Sequence, residues 1–173
     1  QAMSGVPSIV AGLFILSAIL YPITKSFSGF MGALALTILM IPTIARTSEE
    51  VLNLIPNDLR EAGVALGGTQ WRTVAMIVLP AAKSGLITAV ILGVARIAGE
   101  TAPLLLLTGG GDKVNANAFS GPLGSLPYYI WKSFNAGSPE ALTRAWAGLL
   151  VLVGLVLVLF TVARYLGSKK SSK

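Results

Sequence analysis

Arg96 and Glu100 have the clearest capacity for chemistry in this sequence, because both stand inside a long apolar stretch. A guanidinium offers a planar fork of donors that matches an oxyanion. A carboxylate four residues on can hold that fork in place and keep an anion from binding too tightly, as any site that must release its cargo requires. Arg46, at the inner end of another apolar stretch, offers a second cation. Counted from Lys83 at ~1.5 Å per residue, Arg96 lies about 20 Å along a helix. Were that helix to cross a bilayer, a lone charge there would cost at least ~2.5–3.5 kcal/mol, and an i, i+4 partner would offset part of it. At about 100° per residue, Gly85, Ala89, Gly93, Arg96, Glu100 and Pro103 fall within an arc of about 80°. The small residues make a groove for another helix or a substrate path, and lipid is expected on Leu86, Ile87, Val90, Ile91 or Val94. The plainer reading of the same residues is a buried ion pair that fixes helix packing, and the residues alone leave both readings open.

The elements that must position these charges are membrane helices. Of the 173 residues, 54% are hydrophobic and only 12% charged, with a mean hydropathy of +0.76. Soluble domains carry about 25% charge, so this chain has too little to cover a water-facing surface. The net charge is +6, but the cations lie at the edges of apolar stretches and form no patch with interleaved aromatics. That pattern points to a bilayer and away from nucleic acid. There is no cysteine or histidine, which leaves these residues without the ligands of a zinc site or a Cys/His nucleophile. No cofactor is expected.

Four spans are expected, over residues 8–23, 29–45, 81–107 and 141–166. The first two are slightly short of the ~20 residues a span wants and are joined by a tight polar turn over Thr24–Ser28. A polar loop follows over 46–72. In it Thr47 and Glu50 fit a capping box, Pro56 breaks the helix, Asn57 caps a short helix to Leu66, Gly67-Gly68 ends that helix, and Thr69 caps another. Pro80 is expected to divide an interfacial approach from the third span, which kinks or breaks near Pro103. Residues 108–139 form the opposite loop, with a short surface helix around Leu126–Trp131. Thr108-Gly-Gly-Gly-Asp-Lys113 lacks the Gly-Lys-Ser/Thr ending of a phosphate-cradling loop, so it reads as a flexible turn and no ATP binding is expected. Tyr128, Tyr129, Trp131 and Trp146 are interfacial anchors, and the first three are alternatively a docking surface.

One set of loops holds Arg46, Arg60, Arg72, Lys83, Arg164 and the tail lysines 169, 170 and 173. The other holds Lys25, Lys113, Lys132 and Arg144. The richer side is expected in the cytoplasm, with both chain ends and the 46–72 loop.

Glu61-Ala62-Gly63, three residues, Gly67, nine residues, then Ile77-Val78-Leu79-Pro80 resembles the EAA signature of bacterial ABC importer permeases. Gly63 departs from the usual second alanine. The resemblance implies an all-α membrane protein with the multispanning helical bundle of a type I importer permease. It implies that Glu61, Ala62, Gly63, Gly67, Leu79 and Pro80 belong to a coupling region that docks on a cytoplasmic ATPase dimer. Three further segments, Gly5–Leu13, Arg46–Glu50 and Ala95–Pro103, are similar to the phosphate permeases of that family. This similarity implies that two N-terminal spans precede the four, and that Arg96, Glu100 and Arg46 serve phosphate passage. It also implies a sister permease subunit and an external phosphate-binding protein as partners. A permease for molybdate or sulfate, and an ion-coupled secondary transporter or channel, are the alternatives.

Overall fold

A computed structural model describes residues 7–111 and 115–169, the last four by backbone alone. Among the described residues every regular element is a helix. Helix α1 (Ser8–Ile15) continues as a wider π-helical stretch, Leu16–Thr24, that carries Pro22 inside it. The amide of Lys25 donates to Leu20 O five residues back, and Lys25 ends the helix at φ 50. Ser28 then caps α2 (Gly29–Asn53), its hydroxyl accepting the Met31 amide. After the loop come α3 (Asn57–Ala65), α4 (Gln70–Thr73), a π-helical stretch over Val74–Val78, and α5 (Leu79–Ala98). Three non-helical residues separate α5 from α6 (Ala102–Leu107). A folded segment leads to α7 (Leu126–Phe134), and α8 (Pro139–Lys169) closes the chain.

Three stretches are long and apolar enough to cross a membrane: Gly29–Asn53, Gln70–Ala98 and Pro139–Tyr165. Ser8–Thr24 is apolar but shorter. Thr37, Thr43, Thr88 and Thr161 return their hydroxyls to the carbonyl four residues back, which keeps polar groups paired without water.

Two boundaries differ from expectation. Helix α2 does not stop at Ala45 but runs two turns further, so Thr47 and Glu50 lie inside it and form no capping box. The Arg-Thr-Ser-Glu-Glu run continues the helix because Arg46 and Glu50 are i, i+4 neighbours, 3.3 Å apart. Nor does Pro80 divide the third span. The helix is continuous from Gln70 to Ala98, and the wide π turn just before Pro80 accommodates the ring and its missing amide hydrogen.

Glycine and alanine set the packing. Helices α2 and α5 meet along a seam in which Gly85 faces Val51, Gly93 faces Ile44 and Met40, and Ala89 is fully buried. The groove foreseen on α5 is therefore filled by α2, as close-packed membrane helices require. Gly12 of α1 lies on Pro103, and Gly32 of α2 on Leu104 and Thr108, so α6 sits between the first two helices. Ile15, Leu20, Met31, Ala35 and Leu107 form the core there. Helix α8 packs on α5 and α7, with Ala145 buried, Ile130 against Gly148, and Phe134 edge-on to Trp146 at 5.5 Å. Its other faces expose Leu150, Val151, Val153, Leu157 and Val158, a band that only lipid or another apolar helix suits.

The lipid-facing expectation for α5 is overturned at Ile91, which is 9% exposed, whereas Val90 and Val94 remain exposed. Val90, Ile91 and Val94 line an apolar cleft of about 180 Å³ with Val156, Leu159 and Phe160 of α8. They face a neighbouring helix because α8 crosses on the side of α5 opposite the α2 seam.

Thr108–Gly111 is likewise more than a loose turn. Gly109 and Gly110 take φ 67 and φ 57, and the Leu123 amide donates to Thr108 O at 2.9 Å. Asn115 donates to Ser120 O and Pro122 O, and Phe119 packs on Phe30. Asp112 and Lys113 lie outside the described residues, as do Gly5, Val6, Lys170, Lys173 and the Lys169 side chain.

Candidate functional site

The loop between α2 and α5 folds back on itself. Pro56 precedes α3, whose first turn carries Asp58 where the helix dipole favours an acid. The helix ends in a two-glycine turn: the Gly67 amide donates to Val64 O at 2.9 Å, and the Gly68 amide to Gly63 O at 3.2 Å. That pair of bonds is a Schellman motif, and it requires the left-handed φ of 82 that Gly67 supplies. Thr69 then caps α4, accepting the Arg72 amide. Gly67-Gly68 as a terminator and Thr69 as a cap are as the sequence suggested, whereas Asn57 is the first helical residue and makes no side-chain cap.

This reversal lays α3 against the start of the long third helix. Gly63 is buried, and a Cβ there would stand 2.5 Å from Thr73 Cγ2 and 2.8 Å from Ile77 Cδ1. The departure from the usual alanine thus has a local cause: Thr73 and Ile77 fill the space. Glu61 and Ala62, by contrast, are exposed, as are Gly67, Leu79 and Pro80. Leu54, Leu66 and Trp71 of the same α2–α5 connection are 81%, 87% and 86% exposed. Gly63 is therefore an internal packing residue, and Glu61 and Ala62 are the two members of the motif on α3 that a partner can reach.

Arg96 and Glu100 depart from the expected geometry. Helix α5 ends at Ala98, and Glu100 lies in the unwound Gly99–Thr101 segment. The two are not an i, i+4 pair on one face. Among the described residues they form no ion pair, and neither side chain makes a hydrogen bond. Gly99 loosens the last turn, and Pro103, second residue of α6, has no amide hydrogen to return to the Gly99 carbonyl four residues back. Arg96 stands about 60° round α5 from Gly93, within the arc of the α2 seam but about one turn beyond its last glycine, and is exposed on this chain. Glu100 is half-buried.

Arg46 pairs with Glu50, both about half exposed or more. It sits about 200° round α2 from Ile44, the residue over Gly93, so it points away from α5. The structure therefore does not bring Arg46 and Arg96 onto one face. Sequence reasoning expected a kink or break near Pro103, and the structure sets it at Gly99–Thr101, but that reading overlooked that the break parts Glu100 from the helix of Arg96. It also passed over Arg60, whose Nη2 donates to Leu52 O at 2.9 Å. No group of three or more His, Cys, Asp or Glu able to hold a metal occurs among the described residues.

Residues 1–172 match the family model of binding-protein-dependent transport system inner membrane components. The chain is 40% identical over 156 residues to a protein of Mycobacterium tuberculosis (strain CDC 1551 / Oshkosh) named phosphate transport system permease protein PstA 1, a match covering 90% of this chain and 51% of that protein. It is 44% identical over 157 residues to the PstA permease protein of Haemophilus influenzae, covering 90% and 55%. With Pasteurella multocida PstA it shares 42% identity over 165 residues, covering 95% and 58%. The chain thus spans little more than half the length of these curated relatives. Its fold is similar to a chain of the MetNI methionine ABC transporter, solved in inward-facing conformations, with a TM-score of 0.79 at 22% identity, covering 98% of this chain and 71% of that one.

Proposed function

The chain belongs to the family of binding-protein-dependent transport system inner membrane components, and from that premise we propose that it is part of the permease subunit of an ATP-driven phosphate importer. It forms half of the translocation path. A sister permease subunit forms the other half, a cytoplasmic ATPase dimer supplies the energy, and an external phosphate-binding protein delivers the cargo. Support for phosphate comes from the relatives, which are named phosphate transport permeases.

The observation that carries the assignment of a path is the unwound segment Gly99–Thr101. Irregular backbone inside an apolar stretch is kept away from lipid, and lining a water-filled path is one setting that accommodates it. Arg96 lies one turn before this break and Glu100 within it. An unpaired guanidinium there attracts an oxyanion as it sheds water, and the carboxylate limits how tightly it is held. Arg46 serves as a second station nearer the cytoplasm, once Glu50 releases it. Helix α3 takes the thrust of the ATPase through exposed Glu61 and Ala62. The end of α3 set by Gly67, together with Leu79 and Pro80 at the start of α5, completes the coupling region, and Gly63 transmits by packing. The lysine and arginine bias supports a cytoplasmic position for this loop and both ends of the chain.

The test is reconstitution of the complete transporter in liposomes. Phosphate uptake should require ATP and survive excess sulfate or molybdate. Suppression by either anion would reassign the cargo, and uptake without the ATPase would sink the importer reading.

A further inference from the structure

We propose that Arg60 is a positioning residue that ties the coupling helix α3 to α2, so that a push on α3 moves α2 and α5 together. The proposal rests on the reading that α3 receives the thrust of an ATPase. Helix α3 packs on α4 and the π-helical stretch that opens the third span, with Gly63 against Thr73 and Ile77. That contact links α3 to α5. A link to α2 is needed as well, because α2 and α5 share one close seam and must move as a unit without opening it.

Arg60 supplies that link. Its Nη2 donates to the carbonyl of Leu52 at 2.9 Å, on the last turn of α2, where that carbonyl otherwise accepts the long Ile55 amide bond at 3.4 Å. A cation at a helix C-terminus is further favoured by the dipole. The guanidinium is no loose surface group, since its Nε is buried. Arg60 also lies between two clefts. One is shared with Glu61, Gln70 and Thr73, the other with Glu49, Leu52 and Val78, so the side chain spans the junction of α2, α3 and the third span. A charge-assisted bond of this kind is about twice as strong as a neutral one and is cut cleanly by Arg60→Met, which keeps the apolar stem.

The experiment uses the complete transporter in liposomes, comparing wild type, Arg60→Met and Arg60→Lys. Phosphate moved per ATP hydrolysed should fall about tenfold in Arg60→Met, with normal ATPase copurification and basal hydrolysis. Arg60→Lys, which can still donate to Leu52 O, should recover most of the ratio. Unchanged coupling in Arg60→Met overturns the proposal, and so does loss of ATPase binding, which would make Arg60 a docking residue. Spin labels at Asn53→Cys and Ala65→Cys give a readout independent of cargo. Their separation should stay fixed on ATP binding in wild type and broaden in Arg60→Met, and equal broadening in both overturns the strut. If wild type moves no phosphate while the labels behave as stated, the cargo reading fails and the strut stands.

Discussion

Gly63 on α3 and Thr73 at the head of the third helix touch so closely that a Cβ on Gly63 would stand 2.5 Å from Thr73 Cγ2. This contact ties the coupling helix to the membrane helix and explains why a motif that usually carries alanine carries glycine here. Gly63→Ala should therefore weaken α3 packing by about 1–3 kcal/mol, the usual cost of overpacking. Limited proteolysis of the 54–69 loop should speed up accordingly. Adding Thr73→Ala together with Ile77→Val, which removes all three crowding atoms, should restore much of the resistance. Wild-type cleavage rates in the single variant would show that α3 does not sit on Thr73.

Gly67 makes a different prediction, because a side chain there meets nothing within 4 Å. The strain is conformational: φ is 82. Gly67→Ala should cost about 1–2 kcal/mol, and Gly67→Asn distinctly less, because asparagine tolerates the left-handed region. Copurification of the ATPase with each variant measures this, and equal losses would argue that the side chain collides with the partner instead.

In the α2–α5 seam, a Cβ on Gly93 would lie 2.5 Å from Ile44 Cγ1. Gly99, by contrast, has φ −98 and no neighbour within 4 Å of such a Cβ. Gly93→Ala should lower the melting temperature of the purified complex, with partial recovery on adding Ile44→Ala, which removes Cγ1 and Cδ1. Gly99→Ala should leave that temperature unchanged. Were the order reversed, the helices would pack differently from the structure described.

The sequence reading located the helices well because their signals are local. Thr69 and Gly67-Gly68 mark helix ends by side-chain and backbone chemistry that needs no tertiary context, and the small-residue stripe of α5 follows from helical periodicity. What failed depended on competition between neighbours. Thr47 and Glu50 have the types of a capping box, but an i, i+4 pair with Arg46 keeps the helix going. Pro80 has the type of a breaker, but a π turn absorbs it. Arg96 and Glu100 have helical spacing, yet Gly99 and Pro103 unwind the chain between them. Arg60 was invisible because its acceptor is a backbone carbonyl eight residues away, which no side-chain pattern encodes.

The central claim is that Arg96 lies on the path of the anion. The most direct test is phosphate uptake by the complete transporter carrying Arg96→Gln, with membrane abundance and ATPase copurification measured on the same preparation. A guanidinium that meets the anion directly is worth a charge-assisted bond, so uptake should fall about ten- to a hundredfold while the complex assembles normally. Uptake at the wild-type rate, at normal complex levels, would contradict the account and leave Arg96 a structural residue of a permease whose cargo path lies elsewhere.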